Sequence, residues 1–244
     1  MKNVLSALII LILLLSCIDA HRLKAQNIPS SSRSEEAIER VMPALKNELD
    51  EAGLKWGQEV FIRIFKKERQ LELWVKQTGS ASFQLFKTYK ICSIGNAPLG
   101  PKLEEGDGLV PEGFYFFRPI DLNPWSDFHL SFNIGFPNKY DRDHGRTGSA
   151  IMVHGRCVSA GCFAMTNSRI EEIYALVDAA FHGGQDFIRV HVFPFRMTDS
   201  NMHRYRSHRW IDFWQNLKEG YDYFENSQNR PPNTVVTDGR YVFQ

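Results

Sequence analysis

Val60-Phe61-Ile62-Arg63-Ile64-Phe65, followed after a polar turn at Lys66 to Arg69 by Leu71-Glu72-Leu73-Trp74-Val75, is the stretch that sets the fold class. Val60, Ile62 and Ile64 alternate with Phe61, Arg63 and Phe65. That period of two does not fit a helix, and the pair reads as a β-hairpin. Working outward, a third strand is expected over Phe83 to Cys92, then a Gly/Pro-rich loop from Gly95 to Gly113, where Pro111-Glu112-Gly113 turns the chain into a strand at Phe114 to Phe117. His129 to Ile134, Ser149 to Val153 and Phe187 to Phe193 also fit strands. Between the last two, Asn167 is placed to cap a helix whose Ile170, Ile173, Tyr174 and Val177 recur at helical spacing, closed by Gly183-Gly184. Upstream, Ser34 is read as the cap of a helix with one apolar stripe, interrupted by Pro43 and ended at Gly53. Another helix is expected around His208 to Lys218, before a polar tail containing Pro231-Pro232. Several strands around one embedded helix argue an α+β, mainly β domain with short helical extensions at both ends. Strand-helix alternation, which a doubly wound parallel sheet would need, is missing.

The 244 residues are 43% apolar, 13% aromatic and 23% charged, enough to bury a core and unlike a disordered chain. With 29 Lys+Arg against 28 Asp+Glu, the net charge of +1 gives no global field to draw in nucleic acid or an anionic membrane. Lys2 followed by the apolar run Val4 to Leu15 reads as a signal peptide, too short to span a bilayer. Leu14-Leu15-Ser16-Cys17 resembles a bacterial lipobox, which would make Cys17 a lipid anchor; the alternative is ordinary cleavage after Ala20 or Ala25. Either way the mature chain is expected outside the cytoplasm, in the periplasm or cell envelope. Asn27 to Ser34 is a polar, Ser-rich tether.

Of the four cysteines, removing Cys17 leaves Cys92, Cys157 and Cys162 for the folded part, an odd number that flags a free thiol. Cys157 is expected to pack structurally, with pairing to Cys92 as the alternative. The chemistry concentrates in Ile151-Met152-Val153-His154-Gly155-Arg156-Cys157-Val158-Ser159-Ala160-Gly161-Cys162-Phe163-Ala164-Met165-Thr166-Asn167. A strand delivers His154 at its end, and a glycine-bearing loop brings Cys162 back toward it. A thiol nucleophile needs a base, small neighbours and backbone N–H donors for an oxyanion. His154 offers the base, Gly161 the close approach, and Cys162 its own N–H.

The His-Gly…Ser-x-Gly-Cys arrangement resembles the catalytic motif of the L,D-transpeptidase (YkuD-type) domain family. Arg63-Ile64-Phe65-Lys66, Leu71-Glu72-Leu73-Trp74, Gly100-Pro101-Lys102-Leu103, Glu105-Gly106-Asp107-Gly108, Val110-Pro111-Glu112-Gly113 and Phe193-Pro194-Phe195-Arg196-Met197-Thr198 resemble its YafK-like branch. The resemblance implies a β-rich catalytic domain acting on peptidoglycan stem peptides through a thioester, with release to water or transfer to an amine. It implies Cys162 as nucleophile, His154 as general base, Ser159 near the oxyanion site, Gly161 and Cys162 as backbone oxyanion donors, and the Gly155 carbonyl orienting the imidazole. No cofactor is implied. Partners would be stem peptides and a wall-linked lipoprotein, with membrane contact only through an N-terminal lipid. The sequence departs from the wider family where Ala160 replaces a His before Gly-Cys, and in the short connection from His154 to Cys162. The organisation expected is a signal peptide over 1–16, a tether over 17–34, a helix over 35–55, a catalytic domain over 56–198 and a C-terminal extension over 199–244.

Arg146 and Arg156 flank the motif and are candidate ligands for the carboxylates of a stem peptide, which guanidinium binds in bidentate fashion. Two readings from other classes stand beside the enzyme. One is a zinc site at His154, Cys157 and Cys162, completed by His144 or His182. The other is a lipid-tethered module that holds stem peptides without catalysis. The acidic run Glu104-Glu105-Gly106-Asp107 lacks the ligand spacing of a calcium-binding EF-hand.

Overall fold

The computed structural model describes residues 27–95 and 98–244. The expected signal peptide, Cys17 and the tether as far as residue 26 lie outside the described residues. Helix α1 (Ser32–Glu51) runs through Pro43, and Gly53 follows its end at φ +71°. It begins earlier than expected because Ser31, not Ser34, is its cap. The Ser31 hydroxyl accepts the Ser34 N–H while the Ser34 hydroxyl accepts the Ser31 N–H, so two orphan donors are satisfied reciprocally.

The hairpin forms as β1 (Val60–Phe65) and β2 (Gln70–Lys76), antiparallel with Val60 opposite Val75 and Phe65 opposite Gln70. β3 (Phe83–Lys90) adds to β2, and on the other side β1 pairs in parallel with β9 (Ile188–Phe193), which pairs antiparallel with β4 (Gly113–Phe117). The two-residue alternation makes both faces of this five-stranded sheet apolar. Ile62, Ile64, Leu73 and Val190 face one core, shared with Leu45 and Leu49 of α1 and with Ile173, Tyr174 and Val177 of α3 (Asn167–His182).

Phe61, Phe65, Trp74 and Phe193 face the other side, where α5 (Ile211–Asn226) supplies Trp214, Leu217 and Phe224. Residues beyond 198 therefore complete the core of the main sheet. Arg63 is buried on this face, its Nη1 donating to Glu225 Oε1 at 2.7 Å while its guanidinium lies 4.5 Å from the Phe224 ring centre and 4.6 Å from that of Tyr221. The tail adds a further hairpin, β10 (Thr234–Thr237) and β11 (Arg240–Phe243), closed by Asp238-Gly239 with φ of +50° and +70°. Two short helices, α2 (Lys139–Asp143) and α4 (Asp199–Arg204), join the larger elements.

A second, four-stranded sheet carries the motif: β5 (Leu122–Asn123), β6 (Ser131–Asn133), β7 (Met152–His154) and β8 (Phe163–Ala164), in that order. Phe132, Val153 and Phe163 from it enter the same core as α3, which fixes the sheet relative to the main one. The loop between β3 and β4 is tied down by a buried pair. Lys66 Nζ contacts Glu112 Oε1 at 2.8 Å and the Gly100 carbonyl at 2.5 Å, while Glu112 also accepts the Gly100 N–H and the Trp214 indole N–H, each at 2.8 Å. Burying two charges is tolerated here because nearly every donor and acceptor finds a partner.

Candidate functional site

β7 ends at His154, residues 155–162 cross over, and β8 returns parallel to β7 with His154 opposite Ala164. That register puts Cys162 one residue before β8, beside the end of the strand carrying the histidine. Both side chains line one cleft of about 390 Å³ together with Asn123, Phe128, Met152 and Ser159.

His154 is buried, with the Phe128 ring centre 4.7 Å from its own, and its Nδ1 lies 2.6 Å from the Gly155 carbonyl oxygen. A carbonyl only accepts, so the shared proton belongs to Nδ1 and Nε2 of the neutral ring is the free acceptor. Burial holds the imidazole below its ordinary 6.5, only partly offset by that backbone bond. Gly155 has no substitute: a Cβ there would sit 2.5 Å from the Phe128 carbonyl oxygen.

Cys162 is the free cysteine among the described residues and is half-buried. Its Sγ accepts the Met152 N–H at 3.4 Å and approaches the Ala150 carbonyl at 3.7 Å. Burial pushes the thiol above its ordinary 9.0, against the opposing pull of the Met152 N–H and the positive charge of Lys102. Both directions favour the uncharged forms, a thiol beside a neutral imidazole.

Ser159 holds the loop that carries the thiol. Its hydroxyl donates to the Cys162 carbonyl at 2.7 Å and accepts the N–H groups of Cys162 at 2.7 Å and Gly161 at 3.2 Å. This corrects the expectation that those two amides stand free as oxyanion donors: the turn that Ser159 closes takes them both. Gly161 adopts φ +130°, a conformation open to glycine, with the backbone of Gly108 and Leu109 packed 3.4 Å from where a Cβ would be.

Two further expectations change. Cys157 is bonded to Cys92, with a Cα–Cα distance of 5.3 Å, instead of packing as a free thiol. The cause is the zipper between the end of β3 and β8, where the Ala164 carbonyl accepts the N–H groups of Cys92 and Ser93 and brings Cys92 against the motif loop. With its sulfur in that bond, Cys157 is no zinc ligand, so the alternative site at His154, Cys157 and Cys162 falls. His144 and His182 lie elsewhere, on the Tyr140 carbonyl and beside Asp178.

Arg146 does not reach the cleft. It is buried, donates to Asp141 Oδ1 at 2.8 Å, and its guanidinium lies about 5 Å from the ring centres of Tyr140 and Phe213. A carboxylate from within the fold has taken the partner that a substrate was expected to supply. Arg156 is exposed at φ +60°, over the Phe128 ring, and lines a polar recess that adjoins the cleft. The contributions of Phe128, Met152 and Ala150 were not visible from spacing, since Phe128 comes from the turn before β6 and the other two act through backbone atoms.

A sequence profile of the L,D-transpeptidase catalytic domain (YkuD) matches residues 59–192. The Escherichia coli (strain K12) protein named "Putative L,D-transpeptidase YafK" is 43% identical over 236 residues, covering 97% of this chain and 89% of its own. Among solved structures, the helical cell shape determining protein Pgp2 of Campylobacter jejuni is 19% identical with a TM-score of 0.40, covering 80% of each chain. Bd1075 of Bdellovibrio bacteriovorus is 17% identical with a TM-score of 0.39, covering 70% of this chain and 61% of its own.

Proposed function

Since the chain belongs to the family of L,D-transpeptidase catalytic domains and is an enzyme acting on murein, we propose that it works by cysteine-dependent acyl transfer on peptidoglycan stem peptides. The observation that supports this most is the shared cleft of Cys162 and His154, with the imidazole fixed through Nδ1 so that Nε2 is left to accept a proton.

In the reaction, Sγ of Cys162 attacks the carbonyl carbon at a diaminopimelate-type residue as the thiol proton passes to His154. The C–N bond breaks, the proton moves from His154 to the leaving amine, and a thioester remains. Water then gives up a proton to His154 and adds to the thioester carbonyl, releasing a carboxylic acid and restoring the thiol. An amine in place of water gives a new amide. Burial favours the protonated thiol, which fits removal of its proton by His154 as attack occurs. The Met152 N–H, already directed at Sγ, supports negative charge there as it develops. Ser159 acts as a positioning residue, and Gly161 and Gly155 as the two places where the backbone must pass without a side chain.

Hydrolysis is favoured over transfer. Capturing an amine against water at about 55 M needs walls that hold the amine in place. The connection from His154 to Cys162 has seven residues, Ala160 offers no polar side chain, and Val158 at the rim is 62% exposed. Incubating the enzyme with a defined muropeptide, with and without a D-amino acid, and reading products by mass spectrometry tests the preference. Acid products should dominate at low amine; amide products under the same condition would make transfer the main outcome. Wall-directed activity places the protein in the periplasm or envelope, and lipidation at Cys17 would add an anchor there. Among the described residues, no helix is long and apolar enough to cross a membrane.

A further inference from the structure

Beside the cleft lies a second recess of about 280 Å³, lined wholly by polar residues: Arg33, Ser126, Asp127, His129, Arg156 and Asn167. Ser126 and Asp127 also line the cleft, so the two spaces share a wall and one ligand can occupy both. We infer that this recess is a subsite for a zwitterionic α-amino-carboxylate group on the molecule whose acyl carbon meets Cys162. The inference rests on the acyl-transfer reading and names the group that sets its substrate.

The argument is one of donors and acceptors left over. His129 is committed, its Nε2 2.7 Å from Glu171 Oε1, and Asn167 Oδ1 already takes the Arg156 N–H at 2.9 Å. Arg33 donates through Nη1 to the Ser126 and His129 carbonyls at 2.8 and 2.9 Å, which fixes the guanidinium while leaving most of its five N–H donors unused. The Arg156 guanidinium makes no hydrogen bond among the described residues; its contact is the Phe128 ring, 5.7 Å away. The Asp127 carboxylate likewise has no hydrogen bond or ion pair among them.

Two guanidinium groups and one unpaired carboxylate therefore line one small space. A simple anion would be held by the arginines and repelled by Asp127. A group carrying a carboxylate and an ammonium on the same carbon satisfies all three, the carboxylate on the guanidiniums and the ammonium on Asp127. Arg156 is held where it is by its backbone: at φ +60°, its N–H goes to Asn167 and its carbonyl accepts the Thr166 N–H at 2.7 Å. Arg33 comes from α1, so the N-terminal helix contributes to the recess directly.

The test uses a muropeptide whose diaminopimelate side chain ends in a free ammonium and carboxylate, beside two derivatives, one amidated at that carboxylate and one acetylated at that nitrogen. Binding is measured to Cys162→Ala protein by calorimetry, and turnover on the unsubstituted enzyme. The intact ligand should bind about tenfold or more tighter than either derivative, the size expected of a charge-assisted hydrogen bond. Arg33→Ala and Arg156→Ala together should abolish discrimination against the amide, and Asp127→Asn discrimination against the acetylated nitrogen. Equal affinity for the three ligands, or discrimination that survives these substitutions, overturns the subsite. Discrimination in binding without any Cys162-dependent turnover would leave the subsite standing and sink the acyl-transfer reading, so the two failures are distinct.

Discussion

Replacing Cys92 and Cys157 together by serine opens a cross-link between residues 65 apart in sequence, which joins the end of β3 to the loop carrying the nucleophile. In the chain-entropy account, a closed loop of that length contributes about 4 kcal/mol by restricting the unfolded chain. At about 2–4 °C per kcal/mol for a chain of this size, the double variant should melt roughly 8–16 °C below the parent. Calorimetry on both proteins, with and without a phosphine reductant, measures this directly. Reductant should lower the parent to the variant's midpoint and leave the variant unmoved. The loss should also reach the chemistry, because the Cys157 end of the loop would lose its covalent tie while the bonds at Gly155 and Arg156, the Ser159 turn and the β7–β8 pairing remain, and kcat should fall by more than KM rises. Free thiols at Cys92 and Cys157 in the unreduced, unfolded parent, or a midpoint change under about 2 °C, would refute the assignment of the bond and the reasoning built on it.

Other substitutions probe other contacts. Lys66→Met strands the Glu112 carboxylate in the interior and should cost about 3–5 kcal/mol, read as a drop in melting temperature, while pairing it with Glu112→Gln should recover much of the loss. An unchanged midpoint for the single variant would remove the buried pair as the anchor of the loop between β3 and β4. Ser159→Ala deletes one hydroxyl that makes three hydrogen bonds and should cost about 1–3 kcal/mol and lower kcat, with Ser159→Thr restoring most of both; an unaltered kcat would show that the turn does not position Cys162. In the absence of substrate, alkylation of Cys162 by iodoacetamide should rise only on the alkaline side, with a midpoint above 9.0, because burial disfavours the thiolate. The neutral, proton-accepting form of His154 should persist as pH falls through 6.5, since burial holds its pKa lower. An alkylation midpoint below neutrality would mean a preformed thiolate–imidazolium pair.

The elements legible in the sequence were those whose pattern is carried by one segment. The alternation of Val60 to Val75 and the helical spacing from Ile170 to Val177 each report burial on a single element, and both appear in the structure where expected. The short strands of the second sheet were blurred, Ser149 to Val153 becoming Met152–His154, because two or three residues are too few to establish a period. The final hairpin was missed although Asp238-Gly239 between Thr234-Val235-Val236-Thr237 and Arg240-Tyr241-Val242-Phe243 is a strong turn signal; the nearby Pro231-Pro232 drew the segment toward a polar tail. At the site, residue types and the single loop brought Cys162, His154 and Ser159 into view. What stayed hidden depends on pairing across the fold: the Cys92–Cys157 bond on the β3–β8 zipper, the withdrawal of Arg146 on Asp141, and the approach of Arg33 on the docking of α1.

The central claim is that an acyl group resides on Cys162 during turnover. Mixing the enzyme with a defined muropeptide, quenching in acid within the first turnovers and digesting for mass spectrometry places that group on a residue. The account predicts a mass increase equal to the donor acyl fragment on the peptide containing Cys162, absent from Cys162→Ala protein and accumulating more slowly in His154→Ala. Turnover that continues in Cys162→Ala protein, or an acyl adduct on any other side chain, would contradict it.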